Sequence, residues 1–199
     1  MKRMRTANIE RKTAETSISA TLNLDGTGKC AIDSGVGFLN HMLTLFAVHG
    51  RFDLTLTCKG DTEVDDHHSV EDIGIVLGSC IQAALGDKRG IVRYGSFMLP
   101  MDETLMLCAL DLSGRASFNM PFDFPREKIG TFDTELIREF YLGLVRACPM
   151  SLHFQMLAGT NAHHIAEAMF KGFGRALATA VSVDARLNGQ VPSSKGVLA

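Results

Sequence analysis

The sequence predicts an α+β fold made by tandem duplication of a half-domain, each half with about four mostly antiparallel strands and two helices on one face. Three observations predict it. A word is written twice: Asp66-His67-His68-Ser69-Val70-Glu71 recurs 96 residues on as Ala162-His163-His164-Ile165-Ala166-Glu167. The match also extends beyond the histidines. Glu15-Thr16 followed by Leu22-Asn23-Leu24-Asp25-Gly26 corresponds to Glu103-Thr104 followed by Leu110-Asp111-Leu112-Ser113-Gly114, at a constant offset of 88. Finally, strand and helix periodicities come in the same order in both parts of the chain. The offset is 98 between His41 and Glu139 and settles at 96 for the His pairs, which places an insertion in the loop 119–130, rich in Phe and Pro and ending in Gly. A seam near residues 86–90 divides the chain into halves 1–88 and 89–199, forming one compact unit.

Residues 18–24 alternate apolar and polar, the mark of a half-buried strand. Residues 38–49 have helical spacing, and 52–57 alternate again. A long apolar helix over 68–85 follows the first His pair and stops at Gly86, a residue suited to helix ends. The second half repeats the pattern with strands 105–112 and 117–122, helix 134–146, strand 150–157 and helix 163–187. Amphipathic helices laid on one face of a mostly antiparallel sheet are the layered solution for such a half.

A chain of 199 residues, 46% hydrophobic and 21% charged, buries a full core and reads as an ordinary soluble globular protein. Its formal net charge of −2 leaves no electrostatic footprint for nucleic acid or a membrane surface. No apolar run reaches the roughly 18 residues that cross a bilayer. Met1-Lys2-Arg3-Met4-Arg5 is basic but leads into polar residues, so no signal peptide is predicted. Five cysteines, widely spaced and without a Cys-x-x-Cys, argue against a disulfide framework or a zinc ribbon. They fit small buried thiols, reduced in the cytoplasm.

In a helix, the first His and the Glu of each His-His-x-x-Glu stand at i and i+4 on one face, with the second His about 100° round. Imidazoles and carboxylates without thiolates suit Mn, Fe or Zn, and adjacent His side chains that diverge can serve two different ions. His41 alone reads as a core histidine, but its repeat partner Glu139 also ligates metals, which favours a ligand role. His49 and His153 lack such partners and read as structural, His49 near a helix end that favours imidazolium. Glu15 alone is a solvated acid before a strand, and Arg93, Arg115 and Lys171 are scattered cations. The segment Val191-Pro192-Ser193-Ser194-Lys195-Gly196 is either a disordered tail or a Ser/Lys phosphate clamp, which needs several charge-assisted donors.

Segments 35–41, 65–71, 111–115, 161–171 and 192–198, in this order, resemble the imidazoleglycerol-phosphate dehydratases of histidine biosynthesis, and the match runs from Arg11-Lys12-Thr13-Ala14-Glu15-Thr16 to the C-terminal Pro-Ser-Ser-Lys-Gly-Val-Leu. The resemblance implies a fold like domain 2 of ribosomal protein S5, two Mn²⁺ ions per active site, and active sites completed only when subunits assemble, as trimers built into a large octahedral homo-oligomer. It carries a metal-ligand role to His41, His67, His68, Glu71, His163, His164 and Glu167. It departs at Glu139, where many members have His, so that either a carboxylate or water fills that ligand position. Proton transfer falls to Glu15, and binding of the phosphorylated imidazole substrate to Arg93, Arg115, Lys171, Ser193, Ser194 and Lys195.

The implied chemistry is demanding, because the substrate must lose a hydroxyl and a neighbouring C–H proton that is not acidic. A ring held by metal at both nitrogens would help expel the hydroxyl, and one carboxylate would then move the protons to give imidazole acetol phosphate. The expectation is a stand-alone enzyme. The competing readings are a dinuclear metallohydrolase, which would release a hydrolysed product, and a metal-storage protein, which would need neither Glu15 nor the cations.

Overall fold

The structure, a computed structural model, describes residues 5–198; the basic residues 1–4 discussed above and Ala199 lie outside the described residues. The first half comprises β1 (Thr6–Lys12), β2 (Thr16–Asn23), β3 (Cys30–Asp33), α1 (Gly37–Gly50), β4 (Asp53–Gly60) and α2 (His67–Leu85). The second comprises β5 (Tyr94–Met101), β6 (Thr104–Asp111), β7 (Ser117–Asn119), a small hairpin β8 (Lys128–Ile129) and β9 (Phe132–Asp133), α3 (Glu135–Ala147), β10 (Ser151–Ala158) and α4 (Ala162–Val181).

Each half forms one four-stranded sheet, ordered β1-β2-β4-β3 and β5-β6-β10-β7. In both, only the last pair is parallel, β3 with β4 and β7 with β10. The central strands bury matching stripes: Thr16, Ile18, Ala20 and Leu22 on β2, and Thr104, Met106, Cys108 and Leu110 on β6. The hairpin β8–β9 starts at the end of the insertion expected at 119–130 and runs on to Asp133, and the path from β7 to α3 is much longer than that from β3 to α1.

The helices join the halves. α2 lies on β1 and β2, α4 lies on β5 and β6, and across the middle α1 packs on α4 while α2 packs on α3. Glycine permits both crossings. A Cβ on Gly174 of α4 would stand 2.6 Å from the Phe46 carbonyl oxygen of α1. Its repeat mate Gly78 of α2 would press a Cβ on the Leu144 carbonyl of α3 in the same way. Around these crossings Tyr141 and Phe154 (4.8 Å between ring centroids) and Phe46 and Phe173 (5.4 Å) fill the core.

Two elements end earlier than their periodicity predicts. Strand 117–122 is ladder only over β7, as Pro121 has no N–H to donate. The helix expected to 187 stops at Val181, where Ser182 turns extended and its hydroxyl bonds the Thr179 carbonyl at 2.7 Å. A separate 3₁₀ turn, Ala185–Leu187, follows, capped by the Asp184 carboxylate on the Arg186 N–H.

Candidate metal centre and active site

The first turn of α4 sets two histidines at once. The Asn161 side chain accepts the backbone N–H groups of His163 (2.9 Å) and His164 (3.4 Å), an N-cap that fixes where both rings start. His163 and Glu167 then share a face, and the α1–α4 crossing delivers His41 to it. His41 Nε2 lies 2.8 Å and His163 Nε2 3.0 Å from the same Glu167 oxygen, Oε1. One ligand atom from each of the three lies within 4.8 Å of the others. With 45% of its side chain exposed, His41 is no core histidine. Phe38 stands edge-on to the His163 ring at 5.4 Å and is backed by Phe132 at 5.0 Å, which limits how that ring can turn.

Burial alone would raise the Glu167 carboxyl, but Lys171, His41 and His163 outweigh it and hold the group down at about 2. Lys171 Nζ donates to Glu167 Oε2 and leaves Oε1 to the imidazoles. Two imidazole nitrogens and an ionised carboxylate converging on one point fit a divalent ion, which would replace the protons now bridging them.

The α2–α3 crossing carries the duplicate. The Asp65 carboxylate caps the His67 N–H at 2.8 Å, and His67 Nε2 faces Glu71 at 4.0 Å. Glu139 is half-buried on α3, one turn before Gly143, where a Cβ would come 2.8 Å from the Glu71 carbonyl; Glu139 therefore shares the stripe turned toward α2. Arg146 holds Glu71 at 3.3 Å. Among the described residues only the His41–His163–Glu167 set brings three ligand atoms together; in the duplicate, His67 and Glu71 face each other at 4.0 Å and Glu139 shares the neighbouring helix face.

The second histidine of each pair leaves its own cluster. The His68 ring is 6.3 Å from that of His67 at 75°, and the His164 ring is 6.5 Å from that of His163 at 83°. His68 Nδ1 donates to Asp61 at 3.0 Å, and its Nε2 is 3.8 Å from Glu15. His164 Nδ1 donates to Glu103 at 2.7 Å, and its Nε2 is 3.8 Å from Asp102. These carboxylates raise both imidazoles above the ordinary value, the hydrogen bonds contributing most. Glu103 in turn is held at about 2, chiefly by His164 and then by the Asn161 N–H. Each outer ring is thus fixed through Nδ1 with Nε2 turned away from that bond, the way a carboxylate orients a histidine that ligates metal.

Asp61 and Glu103, which hold the outer imidazoles, are site residues that motif reading misses. For Glu103 a signal existed, its repeat match to Glu15; for Asp61 none did, because the matching loop before α4 is shorter, Gly159-Thr160-Asn161, and carries no acid. His49 and His153 stay outside both clusters, as expected. Burial, then Lys171 and Arg175, push the His49 imidazole down, so the neutral ring is favoured there rather than the imidazolium.

The cations lie in three places. Lys171 sits in the metal cluster, also touching the Met101 sulfur at 3.5 Å. Arg93, with a left-handed φ of 77°, grips Asp111 at 2.7 and 3.0 Å and the Pro192 carbonyl at 2.8 Å. It therefore meets the C-terminal segment, where the Ser193 hydroxyl accepts the Lys195 N–H at 3.2 Å; Ser194 and Lys195 are exposed. Arg115 is exposed on the loop after β6. Among the described residues no hydrogen bond or ion pair joins Arg93, Arg115 or the tail to either cluster within one chain. A hollow of about 330 Å³ opens beside His163, lined also by Arg126, Lys128, Thr160 and Asn161.

Fold and site define a class first: a duplicated α+β metalloenzyme with a candidate ligand set on paired helices. The family follows from comparison with known proteins. Residues 34–177 match the family model of imidazoleglycerol-phosphate dehydratase. The chain is 56% identical over 194 residues to the imidazoleglycerol-phosphate dehydratase of Desulforamulus reducens, covering 98% of each, and 55% identical over 195 residues to that of Methylorubrum extorquens, covering 98% of this chain and all of the other. Among solved structures, the Staphylococcus aureus enzyme superposes with a TM-score of 0.80 at 41% identity, over 90% of this chain and 99% of that one. The Pyrococcus furiosus enzyme gives 0.81 at 36%, over 96% and 100%. The chain belongs to the imidazoleglycerol-phosphate dehydratase family. It is a metal-dependent hydro-lyase of histidine biosynthesis that removes water from imidazole glycerol phosphate to give imidazole acetol phosphate. That membership sets aside the metallohydrolase and storage readings. No helix among the described residues is long and apolar enough to cross a membrane.

Proposed function

We propose that the active site holds two Mn²⁺ ions, one at His41, His163 and Glu167 and the other at Glu139, His67 and Glu71, and that each takes its further imidazole, His68 or His164, from a neighbouring copy of the chain. The observation that carries this reading is the convergence of His41 and His163 on one Glu167 oxygen while both outer histidines turn elsewhere. Sharing ligands between copies is in keeping with a large homo-oligomer of trimers in octahedral symmetry. The halves 1–88 and 89–199 are, on this reading, the two products of one duplication.

Bound ions supply Lewis acidity toward the ring nitrogens of the substrate. The rest falls to side chains. Asp61 and Glu103 orient the outer imidazoles through Nδ1. Glu15, with about half its side chain exposed (52%) and 3.8 Å from His68 Nε2, takes the C–H proton and returns it to the product. Arg93, Arg115, Ser193, Ser194 and Lys195 hold the phosphate, with Lys171 reaching it from the metal cluster. Because Arg93 meets the tail but neither cluster, the phosphate site too is completed across copies. The reaction runs in the cytoplasm, in keeping with five free cysteines.

The test is turnover of imidazole glycerol phosphate by Mn²⁺-loaded protein, followed as ketone product, with bound metal counted per chain. Activity lost to chelator and restored by Mn²⁺ at two ions per chain is the expected result. Full activity with one ion per chain would overturn the two-ion site.

A further inference from the structure

Duplication left two glutamates at equivalent hairpin tips, Glu15 between β1 and β2 and Glu103 between β5 and β6. Their surroundings have diverged. Glu103 is tied on every side: Oε1 accepts the Thr104 hydroxyl (3.0 Å) and the N–H groups of Thr160 (3.2 Å) and Asn161 (2.9 Å), and Oε2 takes His164 Nδ1. Among the described residues the Glu15 carboxylate has no such bond, and its nearest charged neighbour is His68.

Two other acids do in the first half what Glu103 does in the second. Asp61 takes His68 Nδ1, and its own N–H donates to the Glu15 carbonyl at 3.1 Å. Asp72 takes the hydroxyl of Thr16, at 2.5 Å, where the matching Thr104 bonds Glu103. Asp72 is only 8% exposed, and its other oxygen receives Arg11 Nε at 3.0 Å and a terminal guanidinium nitrogen at 2.9 Å. Arg11 and Thr16 flank Glu15 on the two strands, so one carboxylate pins both sides of the tip to α2, the helix of His67, His68 and Glu71. Within the tip the Thr13 hydroxyl accepts the N–H groups of Glu15 (3.1 Å) and Thr16 (2.9 Å). The residue 96 places after Asp72 is Ala168, fully buried. The second half carries neither member of the pair there, since Arg11 corresponds to the buried Leu99 at the offset of 88, so acid and arginine occur together in the first half alone.

We propose that Asp72 is a positioning residue for the reaction, clamping Arg11 and Thr16 to α2 so that the Glu15 carboxylate is held at one place beside the metal centre. This rests on the reading of Glu15 as the proton-transfer group. Proton transfer is sensitive to placement, and a shift of about 1 Å costs on the order of a hundredfold in rate.

The test uses Mn²⁺-loaded, assembled enzyme turning over imidazole glycerol phosphate. Asp72→Asn and, separately, Thr16→Val are made in the parent and in a Glu15→Gln background, with kcat, KM and bound Mn²⁺ measured for each. Each substitution should lower kcat about tenfold or more with KM and metal content unchanged, and this loss should vanish once Glu15 is already Gln. A kcat within twofold of the parent, an equal loss in both backgrounds, or a loss that tracks missing metal would each overturn the proposal. A fully active Glu15→Gln enzyme would remove the Glu15 reading and this proposal with it; an impaired Glu15→Gln enzyme with additive losses overturns the positioning role alone.

Discussion

Glu167 turns one oxygen to two imidazoles and the other to an ammonium, and in doing so stays ionised far below the ordinary glutamate range. A carboxyl whose folded pKa is depressed stabilises the fold above its unfolded value of 4.5, and that contribution is lost as pH falls toward about 2. Metal-free protein should therefore lose stability between those limits, and Glu167→Gln should flatten the decline. Thermal melts across pH 5 to 2.5 check this; parallel curves for the two proteins would show that Glu167 contributes no such term. Lys195→Ala belongs to the phosphate instead. Loss of one charge-assisted contact, ~1.5–3 kcal/mol, should raise KM about tenfold or more with kcat little changed. An unchanged KM would take Lys195 out of the clamp. His163 and Glu167 of the convergent group were legible in the chain because the duplicated word sets an imidazole and a carboxylate at helical spacing, and His41 only through its repeat partner. That His67, Glu71 and Glu139 do not draw together as that group does was not legible, since repeat position says nothing of distance. Asp72 left only a faint trace, an acid in α2 where its mate in α4 is alanine.

At the next scale the site depends on how closely α1 approaches α4, since that crossing alone brings His41 to Glu167. Gly174→Ala would put a methyl 2.6 Å from the Phe46 carbonyl and 3.1 Å from the Gly50 nitrogen, both rigid backbone. Forcing the helices apart should cost about 1–3 kcal/mol, only partly offset by the better helix propensity of alanine. The melting temperature should drop by several degrees and Mn²⁺ affinity should fall with it. Gly172→Ala is the control, as its Cβ would meet only the Cys108 Cβ at 3.4 Å. Equal melting temperatures and metal affinities for the two variants would show that the close crossing does not matter. The central strands β2 and β6 were legible, since each buries every second residue. The edge strands β1 and β5 alternate less cleanly, as Glu10, Arg11 and Lys12 on one and Pro100 on the other show, so only the count of strands per half pointed to them. The end of α4 was missed because apolar spacing runs on through Val183 and Leu187, past Ser182 where the backbone turns.

The whole molecule carries an asymmetry that no single chain resolves. The α1–α4 cluster gathers three ligand atoms, its outer histidines face away, and Arg93 and the tail meet each other but neither cluster. On the reading proposed above, a chain that holds the parts of a site without joining them closes it with copies of itself. That proposed sharing makes metal binding and assembly one equilibrium, because an ion ligated from two chains would be bound by the assembly and not by its pieces. The linkage has a sign in pH as well. His68 and His164 hold their protons more tightly than an ordinary imidazole, and a metal must displace those protons. Loading and size should both fall as pH drops through the region at and above about 6.5. Chelation at neutral pH should shrink the particle and abolish turnover together, and added Mn²⁺ should restore both at a rate that depends on protein concentration, since chains must meet again. Light scattering alongside the activity assay follows the two signals in one sample. Metal-free protein that kept its full size and regained activity with no concentration dependence would place each complete site within a single chain.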